Sequence, residues 1–255
     1  MRERPAGDVG YEAGGAGYAH IRQPDPTIEA AIWAALGSAR TVVNVGAGAG
    51  SYEPLDRDVI AVEPSATMRA QRPPTHPAAI DATAERLPLS DDAVEAAMAT
   101  ITVHQWPDLE AGLAEIRRVA SGPVVIMTFD PGHLPTFWFN DYAPELWTHE
   151  AGRMPKLERI AAGLGGTVRI ETVSVPLTCT DGFMPAFYGR PEAFLQREVR
   201  AAQSAWNFVS PEEEAAIIHR LDQSLSDGSW DARYGHLRTQ PTFDGSLRLV
   251  ISEPE

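Results

Sequence analysis

The chain has 255 residues, a formal net charge of −14 and one cysteine, Cys179. That length suits one α/β domain, or one domain with an inserted lid, and is ample for a large core. The acidity argues against a nucleic-acid partner, because such affinity comes largely from neutralising phosphates and Arg117-Arg118 is a lone basic pair. A single cysteine excludes an internal disulfide and a cysteine metal cluster, and no metal site is read. No apolar run is long enough to cross a bilayer, and Met1-Arg2-Glu3-Arg4-Pro5 precedes no apolar signal region, so a cytoplasmic protein without a membrane partner is expected.

Residues 1–17 are rich in Gly, Ala and charge and are expected to form a flexible arm, with residues 18–255 as one domain. Pro26 suits an early helical position with Asp25 or Thr27 at the cap; Ile28, Ala31, Ile32, Ala35 and Leu36 follow at helical spacing, and Gly37 stops the helix. Thr41–Val45 is a β-branched run that breaks into Gly46-Ala47-Gly48-Ala49-Gly50. Glycines there let the backbone turn sharply and approach a ligand closely. A second apolar run, Val59–Val62, ends at Glu63, an acid placed to accept the hydroxyls of a ribose. Only 51–58 separates these strands, and it contains Pro54, so a single turn replaces the usual crossover helix and another segment must shield that face. Glu53 either approaches a ligand at the loop mouth or caps that turn.

Ala66–Arg72 predicts a short helix closed by Pro73-Pro74, and 78–80 a short strand. Ala96–Ile101 and Val124–Phe129 are further strands, separated by a helix that Asp108 caps. Residues 133–155 are aromatic and turn-rich. Helical spacing returns at 157–164, alternation at 167–175, two amphipathic helices at 191–206 and 211–225, and a last strand at 247–251. Segments 131–160 and 177–240 are expected to form a helical, aromatic lid over the carboxyl ends of the strands, where open α/β sheets bind ligands.

The spacing G-x-G-x-G, with Glu63 beyond it, resembles that of the Rossmann-like, class I S-adenosylmethionine (SAM) dependent methyltransferases. Ala84-Glu85-Arg86-Leu87-Pro88-Leu89-Ser90-Asp91-Asp92-Ala93-Val94-Glu95 resembles a second segment of that family, in its type 11, ubiquinone-biosynthesis-like small-molecule branch. The resemblance covers about 18–130. It implies an α/β fold with a mostly parallel sheet, an antiparallel last strand and helices on both faces. It implies SAM as cofactor, S-adenosylhomocysteine as product, and a cofactor site at Tyr18, Arg22, Gly46, Ala47, Gly48, Glu63, Pro64, Met68, Thr83, Ala84, Glu85 and Thr100. Arg22 matches a carboxylate, with a surface ion pair as the other reading. Met68 sits at the adenine edge or in the core. Thr83 stands where the family often has Asp or Asn, which leaves Asp81 as a substitute.

The activity so implied is methyl transfer to an O, N or C atom of a small acceptor, which the lid composition makes apolar or aromatic. His104, at a strand end, is the candidate catalytic base, because histidine titrates near neutral pH; the other reading is a structural histidine. Trp106, His133, Phe137 and Trp138 are candidate substrate contacts. A SAM-binding relative without methyl transfer shares the loop. An NAD-dependent oxidoreductase is disfavoured by G-x-G-x-G, since Ser51 takes the place of the sixth-position glycine.

Overall fold

The computed structural model describes residues 21–254. The expected arm at 1–17 and Tyr18 lie outside them. Helix α1 (Pro26–Ala35) begins where expected: the Asp25 carboxylate accepts from the Thr27 and Ile28 amides, a cap of roughly 1 kcal/mol. Strands β1 (Thr41–Val45), β2 (Asp58–Val62), β3 (Ala96–Thr100), β4 (Val124–Phe129), β5 (Thr167–Thr172) and β8 (Leu247–Glu253) form a six-stranded sheet in the order β2-β1-β3-β4-β8-β5. The β1–β2, β1–β3 and β3–β4 pairs are parallel. The last strand, β8, runs antiparallel between β4 and β5. Strands β6 (Val175–Pro176) and β7 (Thr242–Phe243) pair apart from this sheet.

Alternate residues of the central strands feed two cores. Val43, Val45, Ala97, Ala99, Val124 and Ile126 pack against Leu113 and Ile116 of α3 (Leu109–Val119) and Ile160 of α5 (Leu157–Leu164). The one-turn α2 (Ala66–Arg69) follows β2, and α4 (Pro144–Arg153) comes between β4 and α5 in the chain. On the other face Val42, Met98, Val125 and Met127 join Ile28 and Ile32 of α1 and the aromatic lid. Full burial of such side chains is worth roughly 1.5–3 kcal/mol each. Within the lid Phe139 stacks on Phe194 at 4.3 Å, and Trp138 meets Trp230 edge-on at 5.2 Å.

No helix joins β1 to β2; residues 51–57 turn instead. Their anchor is a buried ionic cluster. Asn44 Nδ2 donates to Glu53 Oε1 at 3.0 Å, and Arg72 Nη2 donates to Glu53 Oε2 at 2.6 Å. Arg72 also donates to the carbonyls of Gly48 and Pro77. Glu53 therefore belongs to the scaffold. Helix α1 covers the face left bare, with Trp33 Nε1 donating to the Tyr52 carbonyl.

Three expected elements differ. The strand at 78–80 reduces to one parallel bridge, Val62 to Ile80, because Pro77 and the surrounding turns stop the ladder. The 167–175 strand breaks after Thr172 and resumes at Val175. The helix at 191–206 is three pieces, with α6 (Arg197–Ala201) flanked by 3₁₀ turns. Gln196 and Gln203 are extended at the breaks. Gln203 is held there by tertiary bonds, donating to the Gly182 carbonyl and accepting from Trp206 Nε1. The helix at 211–225 forms as α7 (Pro211–Ser226), started by a Ser210–Glu213 capping box. Among the described residues no helix is long and apolar enough to cross a membrane.

Candidate functional site

Strand β1 connects outward to β2 on one side while β3 lies on the other, so a crevice opens beyond the carboxyl ends of β1 and β3. A cavity sits there, lined by the Gly46–Ala49 loop, Ser51, Tyr52, Glu63, Met68, Arg22 and Thr100–Thr102 with Gln105. The glycines are there for geometry. Gly46, Gly48 and Gly50 all have positive φ, a region side chains rarely adopt. A Cβ on Gly46 would lie 2.3 Å from Thr102 Oγ1.

Glu63 is buried at the tip of β2. Its Oε2 accepts from the Gly48 amide and its Oε1 from the Ser65 amide, both at 2.8 Å. A carboxylate has about four acceptor positions, so each oxygen keeps one for a ligand hydroxyl. Ile101 has φ 51°, an outlier for a β-branched residue that costs on the order of 1–3 kcal/mol. It stands at a junction, lining this cavity and a second one.

The second cavity is apolar and aromatic, with Phe129, Leu134, Trp147, Met154, Phe183 and Met184 in its walls, and Arg22 shared with the first. His104, Glu150 and Gln203 add polar groups. Arg22 bridges the two cavities from a fixed position: Nε donates to Asp181 Oδ1 at 2.5 Å, and Tyr52 donates to Asp181 Oδ2 at 2.8 Å. Burial, then the neighbouring Asp181, pushes the Tyr52 hydroxyl up, so it remains a donor. Asp25 Oδ2 accepts from the Thr180 amide and ties α1 to the same loop.

His104 is buried in a 3₁₀ turn with Nδ1 unpartnered. Burial, then Arg153 and Arg22, lower its pKa to about 3. It is neutral at ordinary pH and a weak base, which corrects the expectation of a histidine titrating near neutrality. An unfolded chain takes up this proton below about pH 6.5, whereas the folded one does so only near 3. Stability from this group is thus complete above pH 6.5 and falls as pH drops toward 3, by about 1.4 kcal/mol per unit. Urea unfolding of wild type and His104→Asn across that range checks this; equal slopes would refute it.

The other expected site residues divide. Arg22, Gly46, Ala47, Gly48, Glu63, Met68 and Thr100 come together around the first cavity. Pro64, Thr83, Ala84 and Glu85 do not line it. Pro64 gives its carbonyl to Arg69, Ala84 is buried on the α3 face, and Glu85 accepts from the Asp108 amide. Asp81 pairs with Arg69 at 2.9 Å. The four expected substrate contacts line neither cavity. Trp106 packs over Gly112 on the opposite face. Phe137 and Trp138 are buried among lid aromatics. His133 is exposed, its Nδ1 2.7 Å from Asp130 Oδ2. Ile101, Thr102, Gln105 and the cavity-lining Trp147, Glu150, Phe183 and Met184 escaped the sequence reading; the direct sequel to a strand end, Ile101-Thr102, carried the only local signal.

The sheet order, with its antiparallel last strand, is that of the class I, Rossmann-like methyltransferase fold. Residues 43–124 match the family described as Methyltransferase domain. A protein from Anabaena variabilis, assigned as a methyltransferase of an antibiotic biosynthesis pathway, superposes with a TM-score of 0.85 at 29% identity, over 92% of this chain and 99% of its own. The geranyl diphosphate C-methyltransferase of Streptomyces coelicolor, solved with S-adenosylhomocysteine, gives 0.52 at 16% identity over 89% and 78%. A phosphoethanolamine N-methyltransferase of Haemonchus contortus gives 0.54 at 13% over 96% and 56%. The last two share the fold alone. A search of curated proteins finds no match.

Proposed function

We propose that this protein transfers a methyl group from S-adenosylmethionine to an O, N or C atom of a small apolar or aromatic molecule held in the second cavity. The observation that carries this reading is the junction at Arg22 and Ile101, where a glycine-loop cavity meets an aromatic one. The cofactor fits the first. Glu63 keeps acceptor positions for ribose hydroxyls, Met68 supplies an apolar edge, and the Gly46–Ala49 loop forms the wall between them. When bound, S-adenosylmethionine supplies a methyl group on a positively charged sulfur; the protein supplies orientation and a dry, shaped site.

The segments 131–160 and 177–240 act as the lid in this reading, since Leu134, Trp147, Met154, Phe183, Met184 and Ala205 wall the second cavity. Adding S-adenosylhomocysteine at about a hundred times its Kd is expected to stabilise the protein by about 2.7 kcal/mol, which raises Tm by roughly 5–10 °C. NAD at the same concentration is expected to give no shift. Absence of a shift with both SAM and its product would refute the cofactor assignment. Transfer of label from methyl-labelled SAM to a small acceptor separates an enzyme from a binding-only relative.

A further inference from the structure

The polar atoms in the second cavity are not equivalent. Arg22 is paired with Asp181, and both ends of the Gln203 amide are occupied. His104 Nδ1 and Trp147 Nε1 are buried without a partner, and Glu150 Oε2 makes no hydrogen bond. Trp147 and Glu150 lie one turn apart on α4, so they share a helix face. Arg153 holds Glu150 Oε1 and is itself fixed over the Phe208 ring at 4.3 Å. The carboxylate is thereby oriented with one oxygen free, in a cavity walled mostly by apolar and aromatic side chains.

We propose that Glu150 takes the acceptor's proton, and that the acceptor is a small aromatic or apolar molecule bearing an acidic hydroxyl, a phenol or enol. This rests on the second cavity holding the acceptor. The unpartnered atoms select a hydroxyl: Glu150 Oε2 accepts and the Trp147 Nε1–H donates, and a hydroxyl oxygen answers both, whereas an ammonium has no lone pair for the indole N–H. Burial raises the Glu150 carboxyl above its usual range, with Arg153 and then His149 opposing, which favours proton uptake. In the step, the hydroxyl proton passes to Glu150 Oε2 and the oxygen's electron pair forms the bond to the methyl carbon. The methyl–sulfur bond breaks onto sulfur, giving a neutral thioether, and Glu150 returns the proton to solvent. Trp147 Nε1–H is available to orient the acceptor oxygen.

The test is binding to the S-adenosylhomocysteine-loaded full chain, with 4-nitrophenol, 4-nitroanisole and 4-nitrobenzylamine as probes. A hydrogen bond to a charged group predicts that wild type prefers the phenol over its methyl ether by about tenfold or more. Glu150→Leu, which keeps no acceptor, is expected to bring the two to parity, and Glu150→Gln, which keeps the size and a neutral acceptor, to reduce the preference. The amine is expected to bind no better than the ether. Parity in wild type, a preference that survives both substitutions, tighter binding of the amine, or no binding of the phenol would overturn the proposal. S-adenosylhomocysteine affinity, expected to be the same in all three proteins, reports on the parent reading: its absence fails that reading, whereas its presence with parity fails the Glu150 assignment alone.

Discussion

Replacing Arg72 with methionine is expected to destabilise the protein by about 3–5 kcal/mol, because it strands the Glu53 carboxylate in the interior. The two side chains are 4% and 1% exposed, and only Asn44 would still donate to the acid. For a chain of this size the loss corresponds to a Tm lower by roughly 10 °C. The double variant Arg72→Met, Glu53→Leu is expected to recover most of it, since a buried ion pair contributes little beyond a well-packed apolar pair. Urea unfolding of both variants measures the difference. A single-variant loss under about 1 kcal/mol, below the range for a broken buried pair, would show that the short β1–β2 connection does not depend on this cluster.

Glu63→Ala is expected to weaken S-adenosylhomocysteine binding by about 2–3 kcal/mol, or roughly 30- to 150-fold. Two losses combine, because the carboxylate would meet ribose hydroxyls and also steadies the loop through the Gly48 amide. A cofactor analogue without ribose hydroxyls separates them. Wild type is expected to discriminate strongly against the analogue and Glu63→Ala hardly at all. If the variant keeps full discrimination, calorimetry will have removed Glu63 from ribose recognition and left it a loop support.

The strands and the glycine loop were legible because their signals are local. β-Branched runs marked β1 and β4, Asp25 and Asp108 marked helix starts, and each glycine of the loop has the backbone conformation that excuses its missing side chain. Glu63 was legible from its place after a strand. The lining of the second cavity was not, because composition says that a segment is aromatic without saying which rings reach the cavity. Phe137 and Trp138 are spent on packing, while Trp147 lines the cavity, and all three are equally buried. The state of His104 was hidden for the same reason. Its position at a strand end was readable, but its neutrality comes first from burial and then from Arg153 and Arg22, which the chain brings in from distant segments. The broken helix at 191–206 shows tertiary bonds at Gln203 overriding a periodicity that was real.

The shared wall between the two cavities has a thermodynamic consequence. Arg22 and Ile101 face both, so an occupant that moves either residue changes the surface offered to the other occupant. By linkage, whatever factor the cofactor applies to acceptor affinity, the acceptor must apply to cofactor affinity. Occupants of the two cavities are therefore expected to report on each other reciprocally, through Arg22 ahead of α1 and Ile101 after β3.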